Sequence, residues 1–113
     1  MYNLLPKDKA CILNIIDCIK KINLFTNDHS SAESLFNDKE SYDAVLLNFL
    51  VIGEMSNKIS NTAKENFTAI DWTNIIGFRN IIAHEYFGVD ADEVWEIVNE
   101  HLPILLIELE SNI

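Results

Sequence analysis

The side chains best suited to chemistry lie close together in one stretch, Gly77 to Asp90. Arg79 carries a permanent planar cation that can bind a phosphate through two hydrogen bonds. His84 belongs to the residue type that titrates near neutral pH and can take up or release a proton. Tyr86, two residues further on, adds a phenol. The surrounding sequence is apolar, so these groups are not explained as part of a solvated helix surface.

These residue types predict cleavage of RNA without a metal ion. The imidazole of His84 would remove the proton of a 2′-hydroxyl, whose oxygen then attacks the adjacent phosphorus. The guanidinium of Arg79 would stabilise charge on the phosphoryl oxygens, and the expected product is a 2′,3′-cyclic phosphate. Asn80 lies four residues before His84, on the same helix face, where it could orient the imidazole or a phosphate oxygen.

Helix geometry restricts how Arg79 and His84 can meet. Five residues at about 100° each place them about 140° apart around a helix and roughly 7.5 Å apart along it. They could converge if the helix ends at His84, or if two copies of the chain pool their residues, and we prefer the second arrangement. The spacing alone is a weak signal, because an Arg and a His near a helix end often only pair with carbonyls and neighbouring acids.

The overall charge argues against a nucleic-acid binder of the ordinary kind. The formal net charge is −10, whereas such proteins carry a basic stripe that displaces counterions from the phosphates. Any dealing with RNA therefore requires a small local site or the help of a partner. With 49% hydrophobic residues, 23% charged residues, three Gly and two Pro, the chain is predicted to be a single helix-rich domain over residues 1–113.

The two cysteines, Cys11 and Cys18, are predicted to be buried packing residues. On one helix they share a face but lie about 10.5 Å apart along the axis, which is too far for a disulfide. No Cys/His pairing has zinc-site spacing, so neither a metal nor a cofactor is indicated. No signal peptide precedes the first helical pattern and no apolar run has the length of a membrane span, which predicts a cytoplasmic protein without membrane contact.

The first half of the chain predicts two long helices. Apolar residues recur at three-to-four spacing from Pro6 to Phe25. A turn cluster follows, in which His29 is expected to be an exposed loop residue and a short helical turn could begin at Ser31 and end at Phe36. The second long helix is predicted from Lys39 to Asn66. Its N-cap is Asp38 or Ser41.

The middle of the second helix, Ala44 to Ile52, is apolar nearly all round. A helix with this composition is buried on several sides. It is therefore either the central helix of a bundle or part of an interface with another copy of the same chain. The pattern alone favours neither alternative.

The second half of the chain predicts two more helices. Asp71 is an N-cap candidate for a helix from Trp72 to about His84, which ends before Gly88. Asp90 would cap a fourth helix, from Ala91 to about Glu110.

Pro103 lies inside this fourth helical pattern and should kink the helix or break its hydrogen bonding locally. The predicted fold class is therefore all-α, a bundle of four main helices with an extra short helix near residues 31–36. The stretch Arg79-Asn80-Ile-Ile-Ala-His84 resembles the motif of the HEPN superfamily, and this resemblance implies a HEPN-like bundle.

The superfamily motif is an Arg, commonly followed by Asn, Asp or His, and then by a His a few residues later. Arg79-Asn80-Ile-Ile-Ala-His84 satisfies it. Within the HEPN superfamily, the sequence resembles the HepT-like ribonuclease toxins, whose motif adds a Tyr two residues beyond the His, here Tyr86. Further similarities cover most of the chain: Ile52-Gly53-Glu54, Trp72 with Ile75-Ile76-Gly77, and Phe87-Gly-Val-Asp90 with Val94-Trp95-Glu96.

The resemblance implies an all-helical homodimer whose paired motifs line a cleft between protomers, with Arg79 and His84 catalytic and Asn80 supporting. It also implies a partner, a minimal nucleotidyltransferase antitoxin that silences the toxin by transferring AMP to Tyr86. Phosphates added there would occupy the charge that Arg79 offers to RNA. The sequence departs from the family pattern at Glu85, where a small residue is common, and a carboxylate at this position would repel RNA.

A second hypothesis remains open on the same residues. The acidic net charge and Glu85 are also compatible with a non-catalytic HEPN binding module that only docks to a nucleotidyltransferase. The two hypotheses differ in one observable. Only the ribonuclease toxin predicts growth arrest when the chain is expressed without its partner.

Overall fold

The computed structural model describes residues 4–113, and the regular elements in that range are helices. A 3₁₀ turn follows the fifth helix and a π turn joins the sixth to the seventh. The all-α class predicted from the sequence is confirmed. In chain order the elements are α1 (Pro6–Thr26), α2 (Ala32–Asn37), α3 (Lys39–Lys58), α4 (Asn61–Glu65), α5 (Trp72–His84), the 3₁₀ turn (Tyr86–Gly88), α6 (Ala91–Glu96), the π turn (Ile97–His101) and α7 (Leu102–Ser111).

Helix α3 is the centre of the bundle, because it packs against both α1 and α5. Val45, Leu46 and Ile52 of α3 are almost completely buried, whereas Leu47 is 61% exposed. Most of the apolar circumference of α3, but not Leu47, is therefore covered within one chain, which supports the central-helix alternative. Helix α2 packs against α3 and α6, and α7 packs against α1.

Most predicted helix starts agree with the structure. The side chains of Asp38, Asp71 and Asp90 each accept a hydrogen bond from a backbone N–H in the first turn of the helix that follows. Ser31 does the same for α2, so the short helix predicted near residues 31–36 is present. The first helix begins at Pro6 as predicted, and α5 has the predicted bounds.

The prediction of one continuous helix from Lys39 to Asn66 is wrong. Helix α3 ends at Lys58, and Ile59 and Ser60 are extended before α4 begins. A contact distant in sequence stabilises the break: the carboxylate of Asp8 in α1 accepts hydrogen bonds from the backbone N–H of Ser60 at 2.8 Å and from its hydroxyl at 2.7 Å. These bonds need an extended Ser60, so tertiary structure overrides the helical pattern.

The two hydrogen bonds from Ser60 also lower the pKa of the buried Asp8 carboxylate. The Ser60 backbone and hydroxyl stabilise the charged form and hold the pKa of Asp8 below its usual value, against the opposing effect of burial. The side chain is only 1% exposed. Asp8 therefore acts as a charged clamp between the start of α1 and the end of α3.

The fourth predicted helix is interrupted as Pro103 led us to expect. The chain winds as a π turn over Ile97–His101, and the Leu102 N–H donates to the carbonyl of Ile97. Helix α7 then restarts with Pro103 in its first turn, where the missing N–H of proline leaves no bond unmade. The predicted helical span from Ala91 to about Glu110 and the local break in its hydrogen bonding near Pro103 are therefore both confirmed.

The prediction that His29 is an exposed loop residue is only half right. His29 lies in the loop before α2, but its side chain is 13% exposed. Its Nδ1 lies 2.6 Å from the Ser34 hydroxyl and its Nε2 3.0 Å from the Asp38 carboxylate. The imidazole thus joins α2 to the N-cap of α3, a role that a turn-forming sequence does not reveal.

The cysteines are confirmed as packing residues. Cys11 and Cys18 are both buried and free, and burial raises the pKa of the Cys18 thiol. Within residues 4–113, no helix combines the length and the apolar composition needed to cross a membrane.

Candidate active site on helix α5

Arg79 lies where α5 approaches α3 most closely. A methyl carbon built on Gly53 of α3 would overlap the Cβ of Arg79 and lie 3.5 Å from its Cα. Only a glycine permits this approach. Phe49 of α3 packs edge to face on Phe78 of α5, with ring centroids 5.3 Å apart, and strengthens the same contact. The sequence Ile52-Gly53-Glu54 therefore positions the site arginine.

The guanidinium of Arg79 is held by two partners. One terminal nitrogen forms an ion pair with Glu54 of α3, and the other donates to the side-chain oxygen of Asn80 at 3.0 Å. The Arg79 and Glu54 side chains are 31% and 36% exposed. The Nε atom of Arg79 is buried and has no hydrogen-bond partner within residues 4–113. The cation is thus fixed in orientation and partly neutralised before any substrate arrives.

His84 has the opposite environment. It is the last residue of α5 and is exposed. Among the described residues, its side chain has no hydrogen-bond or ion-pair partner. The expectation that an Arg and a His near a helix end pair with neighbouring acids therefore holds for Arg79 and fails for His84.

No bond joins Arg79 and His84 within the described part of the chain. Arg79 shares the α3-facing side of α5 with Ile82, which is 2% exposed. His84 and Asn80 are exposed on the other side, as the angular separation of about 140° predicts. Asn80 bridges the two sides, because its side-chain oxygen accepts a hydrogen bond from Arg79.

Tyr86 stands in the 3₁₀ turn directly after α5 and bonds to α3. Its hydroxyl donates to the carboxylate of Asp43 at 2.5 Å. Partial burial, this hydrogen bond and the negative charge of Asp43 together raise the pKa of Tyr86 to about 12. The neighbouring Phe87 is completely exposed. The phenol is therefore protonated at neutral pH and is anchored, while the turn that carries it projects into solvent.

Sequence reasoning missed both carboxylates that hold the site. Glu54 was visible only as part of a family pattern, without a role, and Asp43 gave no signal. Asp43 lies 43 residues from its partner Tyr86. Glu54 and Asp43 lie on the same helix, α3, so one helix positions both the arginine and the tyrosine of the motif.

A groove lies beside the motif and does not contain it. It has a volume of about 690 Å³ and is formed by α5, the π turn and α7. Arg79, Asn80, His84 and Tyr86 are all absent from its lining. Apolar side chains form much of its wall, including those of Phe78, Ile81, Ile97, Ile104 and Leu105.

Gly77 opens onto the same groove, and its small size has no explanation within one chain. A Cβ built on Gly77 meets no described atom within 4 Å. A glycine inside a helix costs about 1 kcal/mol relative to alanine. Gly77 also precedes His84 by seven residues, so the two lie on the same face of α5. The exposed side of α5 therefore leaves room for a close approach by another surface.

One group of side chains has a geometry that would suit a metal ion. The donor atoms of Glu96 at the end of α6 and of Glu100 and His101 in the π turn lie within 4.8 Å of one another, and all three residues are exposed. Exposed acidic groups often cluster without a metal. None of the three residues belongs to the motif.

The fold and the motif define a class: an all-helical bundle with Arg-x₄-His at the end of one helix, as in the HEPN superfamily. A model of the HepT-like ribonuclease family matches residues 15–111. A candidate RNase of Methanocaldococcus jannaschii is 35% identical over 102 residues, which are 90% of this chain and 93% of that protein. A protein of Thermococcus cleftensis, provisionally named ribonuclease HepT, is 34% identical over 91% of this chain and 93% of its own. No solved structure matches the chain.

The chain belongs to the HepT-like ribonuclease family. The resemblance based on the motif is thereby confirmed. The family match covers α3, α5 and the 3₁₀ turn, and therefore includes the motif residues and the two carboxylates that bind Arg79 and Tyr86.

Proposed function

We propose that the chain is a metal-independent endoribonuclease toxin that cleaves cytoplasmic RNA with Arg79 and His84. The observation that carries this proposal is the contrast between the two side chains. Arg79 is oriented by Glu54 and Asn80, whereas His84 is exposed and unbonded among the described residues. A cation held in one orientation and an imidazole free to move a proton are the two groups that transphosphorylation by a 2′-hydroxyl requires.

In the proposed reaction, His84 removes the proton of the 2′-hydroxyl, and the resulting oxygen attacks the adjacent phosphorus. Arg79 stabilises the charge that develops on the non-bridging oxygens. The 5′-oxygen leaves with a proton, which a second imidazole can supply. Cleavage then yields a 2′,3′-cyclic phosphate and a 5′-hydroxyl.

A second copy of the chain would supply that imidazole. Gly77 leaves space on the face of α5 that also carries His84, and the neighbouring Ile81 is 44% exposed. A parallel approach of two α5 helices, related by a two-fold axis that runs along them, would bring both His84 side chains to one cleft and cover apolar surface. This homodimer would make the site composite.

The homodimer can be tested with a bulky residue at Gly77. We expect Gly77→Trp to yield a monomer by sedimentation velocity at micromolar concentration and to lose RNA cleavage. Gly77→Ala is the graded comparison and should weaken the dimer less than Gly77→Trp does, because a methyl group intrudes less on the approaching copy than an indole. A wild-type monomer that still cleaves RNA would contradict the composite site.

The ribonuclease activity can be tested with purified protein and RNA in excess EDTA. We expect wild type to cleave and His84→Ala to lose activity by about 10²–10⁴-fold, the usual contribution of a positioned acid/base. His101→Ala removes an exposed histidine outside the motif and should cleave normally. Mass spectrometry of the fragments should show 2′,3′-cyclic phosphate ends. Equal recovery of intact RNA with wild type and His84→Ala would refute the enzymatic proposal.

We further propose that a minimal nucleotidyltransferase antitoxin silences the chain by transferring AMP to Tyr86. Support comes from the position of Tyr86, which follows the motif on an exposed turn. Added phosphate would compete with RNA for Arg79. Co-expression with such a partner should add the mass of an adenylate to wild type and none to Tyr86→Phe. The same adduct on both would locate the modification elsewhere.

A non-catalytic module that docks to the nucleotidyltransferase is the alternative function. The ion pair of Arg79 with Glu54 and the net charge of −10 favour it, because both weaken attraction for RNA. Expression of the chain alone separates the two functions. Growth arrest that His84→Ala relieves supports the toxin, and normal growth with intact cellular RNA supports the docking module.

A further inference from the structure

The hydroxyl of Tyr86 has a proton acceptor within its own chain. It donates to the Asp43 carboxylate at 2.5 Å, a length typical of a hydrogen bond between a hydroxyl and an ionised carboxylate. Asp43 lies on α3, in the rigid centre of the bundle, and Tyr86 lies on the turn after α5. The bond therefore links the two elements at the point where the motif ends.

Both groups of this pair are open to a reagent. Tyr86 is 37% exposed, and Asp43 is exposed. The other titratable groups that influence this region are Tyr42 and Asp90, because Asp43 and Asp90 both raise the pKa of Tyr42. No Lys or Arg of residues 4–113 forms an ion pair with Asp43. The carboxylate is therefore left to act on the phenol.

A tyrosine in this setting is a poor nucleophile without help. The phenol stays protonated at neutral pH because the pKa of Tyr86 is raised to about 12. Attack on a phosphorus atom requires loss of the hydroxyl proton as the new bond forms. Asp43 already accepts the hydrogen bond from that proton, so no rearrangement of the chain is needed to remove it.

We propose that Asp43 is the general base that activates Tyr86 for nucleotidyl transfer. The toxin chain would then supply both the hydroxyl that accepts the AMP and the base that removes its proton. The proposal rests on the proposed adenylylation of Tyr86. In the step, the Tyr86 oxygen forms a bond to the α-phosphorus of a nucleoside triphosphate. The bond from that phosphorus to the β-phosphate oxygen breaks, pyrophosphate leaves with its electron pair, and the proton passes to Asp43.

The bond between Tyr86 and Asp43 also predicts that the turn after α5 changes position when Tyr86 is adenylylated. An adenylylated Tyr86 has no hydroxyl proton and cannot donate to Asp43. It carries a phosphodiester anion next to a carboxylate, and the two charges repel. The turn from Tyr86 to Gly88 therefore separates from α3 after transfer, and the new anion moves away from Asp43.

The test compares Asp43→Asn with wild type in the rate of AMP transfer to Tyr86, using a co-expressed minimal nucleotidyltransferase and ATP with Mg²⁺. The amide can still accept a hydrogen bond but is not a base. We expect the rate to fall by about 100-fold or more, within the range for general bases, and Asp43→Glu to recover part of it. Glu40→Gln is the matched control, because Glu40 is an exposed carboxylate in the first turn of the same helix.

The pH dependence of the transfer rate distinguishes a general base from a residue that only positions Tyr86. With Asp43 as the base, the wild-type rate should be nearly independent of pH from about pH 6 to about pH 9, because the proton acceptor is already hydrogen-bonded to the Tyr86 hydroxyl. In Asp43→Asn, the rate should rise about tenfold per pH unit over the same range, because phenolate must form first. A flat profile and an unchanged rate in Asp43→Asn would overturn the proposal and leave adenylylation itself standing.

A partner-free measurement uses an adenosine that carries a sulfonyl fluoride, with peptide mass spectrometry of Tyr86. The phenol oxygen bonds to sulfur, fluoride leaves, and the proton again goes to Asp43. We expect labelling of wild type and Glu40→Gln at equal rates, and slower labelling of Asp43→Asn. Equal labelling of all three would overturn the role of Asp43. RNA digestion by unmodified wild type reports separately on the ribonuclease proposal.

Discussion

The two ends of the motif differ in how the fold treats them. Arg79 is packed on Gly53, paired with Glu54 and bonded to Asn80. His84, five residues later, is exposed and has no side-chain partner among the residues described. The contrast shows that one short sequence can hold one group of a site rigidly and leave the other free. Arg79 is held in place by its contacts with α3. His84 is exposed and can contact only a molecule that binds to the surface of the chain.

The largest expected effect tests this contrast directly. Arg79→Ala and His84→Ala should both reduce RNA cleavage by about 10²–10⁴-fold, since each removes a group proposed to act in the reaction. Only Arg79→Ala should also destabilise the fold, by about 1–3 kcal/mol, because it leaves Glu54 unpaired and removes packing. Urea unfolding at one protomer concentration measures the difference. Equal stability of both variants would remove the distinction between a rigid and a free group.

The two glycines near the motif provide the next test. Gly53→Ala should destabilise the protein by about 1–3 kcal/mol, because the methyl group overlaps Arg79 and forces α5 away from α3. Gly77→Ala should stabilise the protomer by up to about 1 kcal/mol, because open space surrounds Gly77 and alanine favours a helix. Unfolding free energies in urea check both. A stable Gly53→Ala would show that the close approach of the helices is not tight.

The carboxylate of Asp8 is buried, so the contribution of its hydrogen bonds with Ser60 to the free energy of unfolding can be compared with that of the partly exposed contacts of the site. We expect Asp8→Asn to lose about 1–2 kcal/mol at pH 7, because two hydrogen bonds to a charged carboxylate are weakened. The pKa of Asp8 is lower in the folded state than its ordinary value of 3.8. Its contribution is therefore complete above about pH 5 and is lost as the pH falls through the folded pKa.

The difference in unfolding free energy between wild type and Asp8→Asn should accordingly shrink on acidification from about pH 5 towards pH 3. Asp17→Asn is the control, because Asp17 forms a highly exposed pair with Lys21 one turn away. It should change stability by less than about 0.5 kcal/mol at any of these pH values. A pH-independent difference for Asp8→Asn would contradict the charged clamp.

A smaller change in stability is expected at the partly buried ion pair of Arg79 and Glu54. Glu54→Gln should cost less than about 1 kcal/mol in stability, because about a third of each side chain is in contact with solvent. RNA cleavage should still fall several-fold, because the guanidinium loses its orientation. Parallel unfolding and cleavage assays separate the two quantities. A stability loss above about 2 kcal/mol would mean that the pair behaves as a buried one.

Sequence periodicity was sufficient to predict the helices that are determined by interactions between residues close in sequence. Helix α5 begins after its Asp71 cap and ends at His84, as predicted, because capping and apolar spacing act within a few residues. The break after Lys58 could not be predicted, because it depends on bonds between Asp8 and Ser60, which are 52 residues apart. A local break in the hydrogen bonding near Pro103 was predicted, but its geometry, a π turn over Ile97–His101, was not.

The sequence by itself determined the helical class, the motif residues and the family, because these follow from residue types and their spacing. Tertiary structure decided which motif residue is held and which is free. Glu54 and Asp43 come from α3 and reach Arg79 and Tyr86 only once α5 has packed beside it. The physical reason is that hydrogen bonds and ion pairs act over a few ångströms, and only folding brings such distant residues within that range.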